Sequence, residues 1–371
     1  MKIASIVGAR PNFIKAAPVS IEIRKEFGEI LIHTGQHYDY EMDRIFFEEL
    51  NIPEPDYHLG VGSGSQGYQT GEMIKRIEEV LMRENPDLVL VYGDTNTTLA
   101  GAIAASKLHI KVGHIEAGLR SYDKTMPEEI NRILTDHCSD LLFCPTGTAI
   151  RNLKKEGIIK GVHLTGDVMV DALLQNKEIA ERSAILEELD LKSKKYLVAT
   201  VHRQSNTDEK ENLSNIVDAF CDIEEDVVVP VHPRAAKYLK QYGFSERLKE
   251  MEHVKLIKPL GYFDFLKLIN HAKKILTDSG GVQKEAYILK VPCITLRGTT
   301  EWIETVDDGW NVLVGASMDN ILEMTNGFEP KGKQRNVFGD GKASDRIVEV
   351  LNNINKHEKL LMEKAKREKW R

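Results

Sequence analysis

Short apolar runs alternate with longer stretches of helical spacing along almost the whole chain. The runs Lys2–Gly8, Ile30–Thr34, Leu88–Tyr92, Val112–Ile115 and Leu141–Cys144 are mostly apolar over four to seven residues, which predicts strands buried on both faces. Segments between them, such as Ile74–Arg83 and Leu99–Leu108, carry apolar residues at helical intervals. A second series of strands is predicted at Tyr196–Val201, Val227–Val231, Val254–Ile257, Ile275–Thr277 and Cys293–Leu296. Strands that alternate with helices in this way predict an α/β protein with parallel sheets covered by helices. A polar, helix-prone stretch from Gln175 to Lys195 separates the two series. The boundary is expected near Gly166–Asp171, dividing the chain into residues 1–168 and 169–353. Ser344–Arg371 reads as one long charged helix. The economical architecture is two doubly wound, Rossmann-like domains facing a central cleft. Ligands of such sheets sit beyond the carboxyl ends of the strands.

Composition narrows the picture. The 371 residues exceed one ordinary domain. A net charge of −7 offers no broad attraction for nucleic acid or an anionic membrane, so phosphate binding must come from local groups. The chain enters a strand within its first residues, so no signal peptide is expected. No apolar run reaches the ~20 residues that span a bilayer. Cys138, Cys144, Cys221 and Cys293 have the spacing of neither a disulfide framework nor a zinc site. They are expected to be reduced core residues of a cytoplasmic protein.

The strand ends carry the chemistry. Ile275-Leu-Thr277 runs into Asp278-Ser279-Gly280-Gly281, and a helix follows from Gln283. N–H groups at a helix start, with almost no side chain in the way, suit a phosphate. Glu285, about one turn further on, is placed to accept hydrogen bonds from a ribose. The motif reads as a holder for a nucleoside diphosphate, or more plainly as a tight turn with Ser279 as N-cap. The first strand ends in Gly8-Ala-Arg10-Pro-Asn-Phe-Ile-Lys15. This strand–helix turn carries no Gly-x-Gly-x-x-Gly, which argues against a nicotinamide cofactor. Arg10 and Lys15 are cations at a helix start, where the dipole disfavours them, and together they lean toward an anionic ligand. Elsewhere the strand ends carry Asp94, Glu116, His202 and His232. Each has a structural alternative: Asp94 as a helix cap, Glu116 as a partner of Arg120, each histidine as a satisfied polar residue. Glu128 has capping-box spacing from Thr125 and i,i+4 spacing to Arg132. Acids, bases and cations nevertheless recur at one end of both sheets.

Taken together these strings resemble the non-hydrolysing UDP-N-acetylglucosamine 2-epimerases, of the glycosyltransferase-B fold. The resemblance runs through Gly8–Lys15, Thr34-Gly-Gln-His37, Gly93-Asp-Thr95, His114-Ile-Glu-Ala-Gly-Leu-Arg120, Pro127-Glu-Glu-Ile-Asn-Arg132, His202-Arg203 and Thr277–Glu285. It implies catalytic roles for Asp94, Glu116, Glu128 and His202. It implies substrate binding through Arg10, Lys15, Arg132, His232, Ser279, Gly280, Gly281 and Glu285, with the base held by the loop that includes Leu260 and Phe265. Gln36 and His37 match the segment where a second substrate molecule binds in some members, although Tyr38–Met42 differs from theirs. The last helix, about residues 354–371, is expected to pack back on the first domain, and the protein to be a homodimer. The chain departs from the family at Gln204-Ser205 and at Trp302, where an arginine is usual and one phosphate contact is expected to be missing.

The implied reaction eliminates UDP across the first and second carbons of the sugar, giving a 2-acetamidoglucal, and adds UDP back after a proton arrives on the opposite face. One carboxylate removes the proton and a second group returns it. Cations and oriented N–H groups receive the diphosphate. No metal and no redox cofactor is expected. The partners are UDP-N-acetylglucosamine, UDP-N-acetylmannosamine and UDP. Three alternatives stay open: a hydrolysing epimerase releasing UDP and N-acetylmannosamine, a glycosyltransferase, and a silent UDP-sugar sensor.

Overall fold

A computed structural model describes residues 1–36 and 43–369. They form two compact units: Met1–Leu174 with Val337–Arg371, and Gln175–Asn336.

The first unit is built on seven strands: β1 (Lys2–Val7), β2 (Gly28–His33), β3 (Tyr57–His58), β4 (Leu88–Tyr92), β5 (Lys111–Ile115), β6 (Leu141–Cys144) and β7 (Val162–Leu164). All pairings are parallel, in the order β3-β2-β1-β4-β5-β6-β7. The order reverses between β1 and β4, the place where such sheets bind ligands. Every residue of β4 is buried, as expected of a strand covered on both faces. One part of the core lies where Ile6, Ile32, Val89 and Val91 of the sheet meet Met73, Ile77 and Leu81 of the Gln66–Glu84 helix.

The second unit has six strands: β8 (Tyr196–Thr200), β9 (Asp226–Pro230), β10 (Val254–Ile257), β11 (Lys274–Thr277), β12 (Cys293–Thr295) and β13 (Asn311–Leu313). They too are parallel, in the order β10-β9-β8-β11-β12-β13, with the reversal between β8 and β11. Leu197, Val227, Leu276 and Ile294 pack with Leu213, Ile216 and Phe220 of the Lys210–Asp222 helix.

Three short strands escape the apolar-run reading: β3, β7 and β13. The division between the units also differs from the expected one. The first unit continues to Leu174, beyond residue 168, and the chain returns to it at Val337, ahead of residue 354. Hydrogen bonds explain the shift. The Asp167 N–H donates to Phe338 O at 2.8 Å. The Asp171 carboxylate accepts from Ala343 N and Ser344 N, at 3.1 and 2.7 Å, and so caps the last helix, Ala343–Lys369. That helix packs on the Arg10–Glu26 helix. No helix of the described residues is long and apolar enough to cross a membrane.

Candidate active site

Strand register gathers the acids of the first unit. Ile6 pairs with Val91 and Tyr92 with Ile115, so Gly8, Gly93 and Glu116 emerge from neighbouring strands at one level. Gly93 and Glu116 both adopt left-handed backbone, at φ +68° and +76°. For Glu116 this is a strained conformation of the kind found at functional sites. It turns the carboxylate onto Lys15, with Nζ 2.6 Å from Oε2 and both side chains buried. A Cβ at Gly93 would lie 2.7 Å from Lys15 Nζ, and at φ +68° any L side chain would be strained. Lys15 is therefore one half of a buried ion pair, which is why it sits inside the first turns of the Arg10–Glu26 helix despite the dipole. Arg10, the first residue of that helix, is half-buried.

Asp94 does not cap the following helix. Thr95 does, its hydroxyl accepting from Thr98 N at 3.4 Å. Arg132 instead donates to Asp94 Oδ2 through Nε and Nη2, at 3.0 and 2.8 Å. The same guanidinium reaches Glu129 Oε2 at 2.8 Å through Nη1. Oδ1 of Asp94 bonds to no described residue, so one oxygen is anchored and the other is available. The capping box expected from Thr125 and Glu128 does not form. The Pro127–Cys138 helix begins after Met126 with no side-chain cap, and Thr125 bonds back to Asp123 Oδ1 at 2.6 Å. Glu128 lies in the first turn of that helix, half-buried.

Nor does Glu116 pair with Arg120. Arg120 donates to Asp136 Oδ2 at 2.7 Å and forks onto Glu156 at 2.7 and 2.8 Å. Asp136 also meets His114 Nδ1 at 2.7 Å, and His114 Nε2 donates to Gly93 O at 2.7 Å. Burial works against the Asp136 charge, but His114 and Arg120 outweigh it and hold its pKa below the ordinary value. This buried chain fixes the Gly93–Asp94 turn from behind. Gln36 braces the same end: its Oε1 accepts from Thr97 N and Oγ1 at 3.2 and 2.9 Å. His37 lies outside the described residues.

In the second unit Thr200 pairs with Thr277, so His202 and Ser279 leave adjacent strands side by side. Asp278 orients His202. Its carboxylate lies 3.0 Å from Nδ1 and accepts from the backbone N–H groups of His202 and Arg203 and from Asn206 Nδ2. Burial raises the Asp278 pKa, yet His202 and these hydrogen bonds bring it down to about 2. Sequence reading passed over Asp278; the signal was an acid directly after a buried strand. His232 stands 5.4 Å from His202, ring to ring, and its Nδ1 accepts from Arg234 N at 3.1 Å, which leaves the proton on Nε2.

Ser279 is the N-cap of the Gly280–Ile288 helix, as expected, with Oγ accepting from Val282 N at 3.5 Å. Gly281 is half-buried and Glu285 is buried one turn on. Burial, and then the charge of Glu285, pushes the Tyr262 hydroxyl well above its usual pKa. Tyr262 opens the Tyr262–Asn270 helix, with half-buried Leu260 just before it and half-buried Phe265 within it.

Among the described residues one group of metal-ligand types gathers, His33, Asp43 and His58. Its geometry does not converge on an ion. The two rings stack 4.4 Å apart at 18°, so their lone pairs lie in nearly parallel, offset planes. His33 Nδ1 accepts from Gly35 N, and its Nε2–H donates to Asp43 Oδ1 at 2.9 Å.

A sequence model of the UDP-N-acetylglucosamine 2-epimerase family matches residues 20–352. A UDP-N-acetylglucosamine 2-epimerase homolog of Methanococcus maripaludis is 61% identical over 95% of this chain and 100% of its own. The UDP-2,3-diacetamido-2,3-dideoxy-D-glucuronate 2-epimerase of Pseudomonas aeruginosa is 48% identical, over 95% of this chain and 99% of its own. The crystal structure of Methanocaldococcus jannaschii UDP-GlcNAc 2-epimerase in complex with UDP-GlcNAc and UDP superposes with a TM-score of 0.92, at 48% identity, over 95% of this chain and 100% of that one. With the sheets, their order and this likeness in place, the chain belongs to the UDP-N-acetylglucosamine 2-epimerase family.

Proposed function

We propose that the chain interconverts UDP-N-acetylglucosamine and UDP-N-acetylmannosamine without hydrolysis. The observation that carries this reading is the pair of strand-end carboxylates, Asp94 held through one oxygen by Arg132 and Glu116 held by Lys15. A base takes the proton from the second carbon of the sugar. The electron pair of that C–H bond becomes the double bond to the first carbon, and the bond from the first carbon to the phosphate oxygen breaks. UDP and a 2-acetamidoglucal result. A proton then arrives on the opposite face and a phosphate oxygen of UDP re-forms the bond, so the step needs neither oxidant nor reductant.

Roles divide by unit. Asp94, Glu116 and Glu128 of the first supply proton transfer, and Arg10, Lys15 and Arg132 supply positive charge. In the second unit Ser279, Gly280 and Gly281 offer helix-start N–H groups to the diphosphate. Glu285 takes the ribose, Leu260 and Phe265 the base. His202, oriented by Asp278, joins the acid–base set, with His232 beside it. The same reading extends to a homodimer.

One comparison supports a second substrate. Identity is 48% both to the UDP-GlcNAc 2-epimerase of M. jannaschii and to the diacetamido-glucuronate 2-epimerase of P. aeruginosa. The second-carbon chemistry is common to both sugars. Chromatography of parallel reactions with the two UDP-sugars tests the assignment. UDP-N-acetylmannosamine with only traces of free UDP is expected from the first. Turnover of the diacetamido-glucuronate alone would move the substrate to the second reading. Stoichiometric free UDP with N-acetylmannosamine would establish hydrolysis.

A further inference from the structure

Trp302 is almost wholly buried, and its surroundings give it a role in the second unit. The Gly280–Ile288 helix presents Gly280 and Lys284 one turn apart on the same face. The indole spans both. Its Nε1 lies 3.1 Å from where a Cβ on Gly280 would stand, and the Lys284 ammonium lies 4.1 Å above the ring centroid. A Cβ on Gly280 would also collide with the Glu301 carboxylate, which Arg297 Nη2 holds at 2.9 Å. Glycine at 280 is thus required by what stands behind the turn as well as by what could approach its front.

The segment carrying Trp302 is fastened to the same helix. Thr300 Oγ1 donates to Gln283 Oε1 at 2.7 Å and accepts from Trp302 N at 3.0 Å. Asn311 Nδ2 adds a second bond to Gln283 Oε1 at 3.2 Å. The backbone O of Trp302 in turn accepts from Thr305 N and Oγ1, at 3.0 and 2.7 Å. The main chain of Trp302 is therefore held at both its N–H and its C=O. A cation over the face of a buried indole is among the stronger forms of that contact.

We infer that Trp302 is a positioning residue of the nucleotide site: wedged between Gly280 and Lys284, it fixes the rotation of the helix whose first N–H groups and Glu285 receive the UDP moiety. This rests on the proposed reading of the Ser279-Gly280-Gly281 turn. The wedge touches the back of the turn and not the reacting carbons, so its loss acts on nucleotide affinity and leaves proton transfer in place.

The test uses the full chain, with UDP affinity by calorimetry, KM and kcat by NMR-monitored epimerisation, and thermal unfolding alongside. Trp302→Leu is expected to raise the Kd for UDP and KM about tenfold or more while kcat stays within about threefold. Trp302→Phe, which keeps a ring face for Lys284, is expected to stay within about threefold of wild type, and Lys284→Met to weaken UDP about fivefold. Wild-type affinity in Trp302→Leu, whatever its melting temperature, overturns the proposal. Should Trp302→Leu fail to fold, Lys284→Met decides: weakened UDP binding supports the wedge and unchanged binding overturns it. A wild-type protein that binds no UDP overturns the nucleotide reading and the wedge with it, an outcome distinct from tight wild-type binding with an indifferent Trp302→Leu.

Discussion

Lys15 Nζ lies 2.6 Å from Glu116 Oε2, with both side chains nearly closed off from solvent. Breaking one side of a buried pair strands the other charge, which costs about 3–5 kcal/mol. Lys15→Met is therefore expected to lower stability by about 3 kcal/mol and to abolish turnover. The double variant Lys15→Met/Glu116→Gln is expected to recover most of the stability and none of the activity. Denaturant unfolding of the four proteins checks this as a cycle. Additive losses would show that the two groups do not act as a pair.

On the proposed roles, Asp94 and Glu285 separate chemistry from binding. Arg132 holds Oδ2 of Asp94, while Glu285 lies in the Gly280–Ile288 helix, the proposed nucleotide holder. Asp94→Asn is expected to bind UDP as wild type does and to lose roughly 10²–10⁴-fold in turnover. Glu285→Ala is expected to weaken UDP binding and to keep kcat within about tenfold. Calorimetry with UDP reads the difference; equal loss of affinity in both would mean that the roles are wrongly divided.

Asp278 makes a pH-dependent contribution. Its folded pKa, about 2, lies below the ordinary 3.8. The stabilisation is thus complete above about pH 4 and disappears as pH falls toward about 2. At neutral pH the shift is worth about 2 kcal/mol. Asp278→Asn, which cannot ionise, is expected to trail wild type by at least that much at pH 6 and by progressively less as the pH approaches 3. Urea midpoints across this range test it, and a gap that stays constant would contradict the linkage. Because Asp278 orients His202, the variant is also expected to lose turnover at pH 7.

How far the sequence reached follows from what periodicity can see. Long apolar strands and the helices between them declared both sheets, and glycines and acids just past strand ends marked the candidate site. Partners did not declare themselves. Lys15 reads as a cation for an anionic ligand until β5 delivers Glu116 against it, and Asp94 reads as a cap until Arg132 arrives from the Pro127–Cys138 helix. Local spacing favoured Glu116 with Arg120 and Glu128 with Thr125; the fold instead commits Arg120 to Asp136 and Glu156, and Thr125 to Asp123. Trp302 read as a missing cation, whereas its ring receives one from Lys284. Apart from the local Thr125–Asp123 turn, each of these facts is a tertiary contact, and tertiary contacts override local propensity.

The central claim is proton exchange at the second carbon of the sugar. Proton NMR of UDP-N-acetylglucosamine incubated with the enzyme in heavy water tests it most directly. The account predicts a manno epimer with deuterium at that carbon, together with deuterium entering the remaining gluco isomer as the reaction reverses. An epimer that keeps its original proton would contradict it.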